Sequence, residues 1–86
     1  MDINELISKI KNKILNNLSC EKVDVEDKSF LHKNHPGNDK NKFHIKLIIK
    51  SENLKKMNRV ESNKKIYKIL NDEIKTSIHS LQILIQ

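Results

Sequence analysis

"FHIKLIIK", residues 43–50, decides the fold. Its alternation sets Ile45, Leu47 and Ile49 on one side and His44, Lys46, Ile48 and Lys50 on the other, the spacing of a half-buried strand. A strand with one apolar side needs cover on that side. Upstream, "KVDVED" (22–27) alternates in the same way, Val23 and Val25 against Lys22, Asp24 and Glu26. The stretch 28–41 between them is polar and holds the only Pro and the only Gly, Pro36 and Gly37. It reads as a loop, so the two strands form a long hairpin.

The cover comes from the flanking segments. "DINELISKIKNKILNNL" (2–18) carries Ile3, Leu6, Ile7, Ile10, Ile14 and Leu18 at helical spacing, with Asp2 as N-cap and Glu5 three residues on. "SENLKKM" (51–57) suits a helical turn. "RVESNKKIYKILNDEIK" (59–75) predicts a longer helix with Val60, Tyr67, Leu70 and Ile74 along one stripe and Ile66 beside it. "IHSLQILI" (78–85) predicts a last strand, in which Leu81, Ile83 and Ile85 share a face and His79 begins the row. The order is α-β-β-α-β. It predicts one α+β domain over residues 1–86, a small mixed three-stranded sheet with helices packed on one face.

Composition bounds the rest. The chain has 86 residues with two Phe, one Tyr and no Trp, so the core must be aliphatic, and thirteen Ile supply most of it. One cysteine, Cys20, excludes an internal disulfide and a Cys-based zinc site. No apolar run approaches a membrane span, and the first segment has neither the arginines of a transit peptide nor the apolar core of a secretion signal. A reducing, cytoplasmic setting is the expectation. The net charge of +6 invites nucleic acid. Yet sixteen of seventeen basic residues are Lys, and eleven Asn with no Ala accompany them, the pattern of an AT-rich genome. A solvated Lys-rich face is the simpler account, since lysines discriminate little between sequences.

The chemistry-bearing residues are four histidines: His32, His35, His44 and His79. His32 and His35 stand i, i+3 in the polar loop, where histidines are ordinarily just solvated. His44 opens a strand on its polar side. His79 starts an apolar row, so its ring should be partly shielded and held by a hydrogen bond. Neutral imidazole is a good ligand for zinc, copper or iron. A closed zinc site wants four protein ligands in pairs, and no second Cys or His pair exists. The count suits an incomplete site finished by a partner's ligands. Ser29 or Cys20 near a histidine lacks an orienting acid and an oxyanion hole, so an enzyme is not expected.

Taken together, "VEDKSFLHKNHPG", "FHIKLIIKSENL", "IYKIL" and "SIHSLQI" resemble the BolA family. Asp27, Ser29, His32, His35 and Gly37 match its Asp-x-Ser and His-bearing loop. His44 and Ser51 match its second strand, with Ile45 for the usual Phe. His79 and Leu81 match its closing His-Ala-Leu, with Ser80 for Ala. The family's Arg-His-Arg at the long helix corresponds to Ser62, Asn63 and Lys64, so whatever depends on that basic triplet is not carried over.

The resemblance implies a fold similar to the class II KH domain and a non-enzymatic role. BolA-like proteins pair with monothiol glutaredoxins and share a [2Fe–2S] cluster with the glutaredoxin cysteine and glutathione. The isolated chain, a monomer, would hold none tightly. By position the ligands on this side are His79 and His32, with His35 the alternative in the loop; Cys20 does not match. Imidazoles in place of thiolates raise a cluster's potential, and they bind only when deprotonated, so ligation weakens on acidification. Members occur in cytosol, nucleus and mitochondria. The other reading is a nucleic-acid-binding transcriptional or stress regulator. A KH domain clamps its ligand with a GxxG loop, which a chain with one glycine cannot form, and stacking aromatics are scarce. Only weak, salt-dependent binding is expected from charge alone.

Overall fold

The computed structural model describes residues 2–29 and 42–86. The expectations for His32, His35 and the Pro36–Gly37 loop lie outside the described residues. Helix α1 spans Ile3–Asn17, and the Asp2 carboxylate accepts the Glu5 backbone N–H at 2.9 Å, satisfying one donor that the first turn would otherwise leave open. Its apolar stripe behaves as the spacing predicts: Leu6, Ile10 and Ile14 are fully buried.

Strands β1 (Lys22–Asp27) and β2 (Phe43–Lys50) pair antiparallel, with Val23 opposite Ile49 and Val25 opposite Leu47. Strand β3 (Ile78–Ile85) pairs parallel to β2 on its other side, so the sheet is mixed, in the order β1-β2-β3. Leu81, Ile83 and Ile85 stand beside Ile45, Leu47 and Ile49. The apolar row therefore continues across all three strands. α1 and α3 pack on this one face, as the alternation requires. Eleven buried apolar residues form the core among the described residues, and all are Ile, Leu or Val. Removing any one of the large ones should cost about 2–5 kcal/mol.

Between β2 and β3 run α2 (Glu52–Lys56), α3 (Arg59–Ile69) and α4 (Asn71–Thr76). Ser51 caps α2. Its hydroxyl accepts the Leu54 N–H at 3.3 Å and donates to the Ser19 carbonyl at 2.8 Å, which ties the end of α1 to the end of β2. The single helix expected over 59–75 is broken at Leu70, whose φ of −97° and ψ of 18° leave the helical well without any Gly or Pro.

The buried stripe also differs from the expected one. Ser62, Ile66, Leu70 and Glu73 face the core, while Val60 and Tyr67 are exposed. The polar residues on the stripe are satisfied locally. The Ser62 hydroxyl donates to the Arg59 carbonyl at 3.1 Å, and Glu73 accepts from Lys13 of α1 at 2.8 Å. Two polar side chains thus occupy core positions that a hydropathy pattern assigns to solvent.

Candidate functional site

The end of the sheet where β2 begins and β3 starts is irregular. Phe43 stands beside Ile78, but the next pair is His44 with Ser80. One residue, His79, is extra on β3, the definition of a bulge. The bulge breaks the period of two, so Ile78 reaches the core although it is three residues from Leu81. His79 is thereby released from the apolar row. The sequence predicts a partly shielded ring in that row; the ring is instead exposed. Ile78 and Leu81, apolar at a spacing no regular strand allows on one side, were the signal for this.

His79 lies against His44, ring centroids 4.7 Å apart and planes tilted by 53°. His44 is the second correction. It sits on the polar side of β2, yet it is only 5% exposed. Its Nδ1 and the Ser80 hydroxyl share a 2.6 Å hydrogen bond. Its backbone N–H donates to the Ser29 hydroxyl at 3.0 Å, and its carbonyl accepts the Lys28 N–H at 2.7 Å. Ser29 is held in turn by the Asp27 carboxylate, which accepts its N–H at 2.9 Å. Asp27 and Ser29 are thus turn-makers where β1 leaves the sheet. They supply the ladder acceptor that β1 no longer offers.

The result is a hydrogen-bonded platform. A buried, hydrogen-bonded imidazole supports an exposed one whose ring makes no hydrogen bond to a described residue. Among the described residues no three His, Cys, Asp or Glu side chains converge on one point. His79 thus has no set of co-ligands among the described residues. Cys20 lies near the Lys50 end of β2, six residues from His44, roughly 20 Å at strand rise. Burial pushes its thiol above the ordinary value. It is neither placed nor tuned to join His79.

The described residues form a small α+β domain with a mixed sheet and a histidine on a bulge at the sheet's open end. The family model for BolA-like proteins matches residues 14–86, and the chain belongs to that family. It is 31% identical over 74 residues to the DNA-binding transcriptional regulator BolA of Haemophilus influenzae, covering 86% of this chain and 69% of that one. It is 28% identical over 82 residues to the chloroplastic protein BOLA1 of Arabidopsis thaliana, covering 90% of this chain and 50% of that one. The chain thus spans about half the length of this second relative. Among solved structures, the BolA domain of SufE1 from Arabidopsis thaliana superposes with a TM-score of 0.80 at 28% identity, covering 99% and 94% of the two chains. BolA1 from the same plant gives 0.75 at 26%, covering 93% and 88%. These likenesses agree with the α+β, mixed-sheet architecture expected from the residues.

Proposed function

We propose that this chain is a non-enzymatic accessory factor in iron–sulfur cluster assembly or trafficking, and that it pairs with a monothiol glutaredoxin. In this reading His79 ligates one iron of a shared [2Fe–2S] cluster. The second imidazole comes from His32 or His35, and the glutaredoxin cysteine and glutathione complete the set. The observation that carries the reading is the exposed His79 ring, backed by His44 and without co-ligands among the described residues. One exposed imidazole suits a cluster held between two proteins better than one resident in this chain. The chain's own part is to present that ring: the bulge turns it outward, and His44, held by Ser80, limits its tilt.

Mixing the chain with a monothiol glutaredoxin, glutathione, ferrous iron and sulfide tests this. A visible absorption and circular-dichroism spectrum distinct from that of the glutaredoxin alone is expected, reverting to the latter with His79→Ala. Identical spectra with and without this chain would end the proposal.

The name of the Haemophilus relative, with the +6 charge, supports nucleic-acid binding as a second reading. A gel shift with sequence preference at physiological salt favours it. Binding that vanishes steeply with salt and ignores sequence reduces it to bulk charge.

A further inference from the structure

At the other end of β3 a groove of about 170 Å³ opens between the strand's outer edge and the α2–α3 corner. Leu54, Met57, Ile83 and Ile85 line it, with Lys55 and Arg59 beside them and no carboxylate. Its strand wall has an unusual property. The Gln86 N–H donates to the Ile49 carbonyl at 2.8 Å, and the Gln86 carbonyl accepts from the Ser51 N–H at 3.2 Å, so the Gln86 backbone points toward β2. Alternation then turns the N–H and C=O groups of Ile85, Ile83 and Leu81 outward. The Tyr67 hydroxyl reaches the Leu81 carbonyl, at a long 3.5 Å. Among the described residues the Ile83 and Ile85 groups meet no further strand.

A bare edge is normally blunted by charge or proline, and β3 has neither: its eight residues, IHSLQILI, carry no Asp, Glu, Lys, Arg or Pro. We propose that this edge takes up an extended, acidic segment of a partner protein by strand addition. The segment's backbone pairs with Ile83 and Ile85, an apolar side chain enters between Met57 and the strand, and a carboxylate meets Arg59 and Lys55. Neither cation forms an ion pair with a described residue. Arg59, the chain's only arginine, offers the fork geometry that a carboxylate fits.

Other occupants fit less well. A second copy would bring the same cations face to face, and β3 has no acid to answer them. A nucleic acid would want stacking aromatics, and none lines the groove. The groove lies four to six residues from His79, roughly 13–20 Å along the strand, so this surface is separate from the cluster reading.

The probe is a capped peptide carrying valine and aspartate in turn at every second position, with threonine between, so that both face the groove; it is titrated into the isotope-labelled chain by NMR. The Ile83 and Ile85 amides should shift and gain exchange protection. A peptide with lysine for aspartate should not bind. Arg59→Glu and Lys55→Glu, both at exposed positions, should each weaken binding roughly tenfold or more with unchanged far-UV circular dichroism. No binding, or binding without protection at Ile83 and Ile85, overturns the proposal. So does protection of those amides by self-association without peptide, or preferential capture of a single-stranded oligonucleotide.

Discussion

Replacing Lys13 by methionine strips a buried carboxylate of its cation. Glu73 is only 4% exposed, and both of its oxygens lie 2.8 Å from Lys13 Nζ. Breaking a fully buried pair from one side costs about 3–5 kcal/mol, because the remaining charge stays desolvated. Lys13 is about a third exposed, so water partly replaces it, and the cost should fall to about 2–3 kcal/mol. In a domain of this size each kcal/mol moves the melting temperature by roughly 4–8 °C, so a drop of about 8–24 °C is expected.

The consequence reaches the site. α4, which carries Glu73, runs directly through Ser77 into the bulge, so loosening it from α1 should also raise amide exchange at Ile78 and His79. Thermal unfolding by circular dichroism and exchange by NMR measure both effects. The double variant Lys13→Met with Glu73→Leu should recover most of the loss, since two well-packed apolar residues replace the pair. A single variant that melts within about 4 °C of the parent would show this to be an ordinary surface pair and refute the reasoning. So would a double variant no better than the single.

Two further side chains, Ser51 and Cys20, give measurable outcomes. Ser51→Ala loses both the α2 cap and the bond to Ser19, so chemical denaturation should show a loss of about 1–2 kcal/mol, and a Thr replacement should restore part of it. Cys20, whose thiol burial holds above its ordinary value, should react with iodoacetamide at neutral pH more slowly than free cysteine. Its contribution to stability is intact below the unfolded thiol's value and is lost as pH rises through the folded one. A rate equal to that of free cysteine would contradict this.

Most of the fold was legible because the apolar residues repeat cleanly. Ile45, Leu47 and Ile49 at a period of two, and Leu6, Ile10 and Ile14 at helical spacing, are all fully or nearly fully buried. The single helix expected over 59–75 misled for a physical reason. Its core stripe includes Ser62 and Glu73, each satisfied by a partner that only the folded chain supplies, and the apolar Val60 and Tyr67 were free to face water. The sequence singles out position 79 but not its surroundings. A bulge is specified by how two ladders meet, so neither the outward turn of His79 nor its contact with His44 could be read from a strand pattern. Ser80, which replaces the family's alanine, gained its meaning only when its hydroxyl proved to hold the His44 ring.

The most direct test of the central claim asks whether an imidazole nitrogen of this chain is bonded to iron. The chain, labelled with ¹⁵N-histidine, is loaded with a monothiol glutaredoxin and glutathione, reduced, and studied by pulsed electron paramagnetic resonance. Strong ¹⁵N hyperfine coupling, from which His79→Ala removes one nitrogen's contribution, is the predicted result. A reduced cluster with no histidine coupling, or one whose coupling survives intact in the His79→Ala protein, would contradict the account.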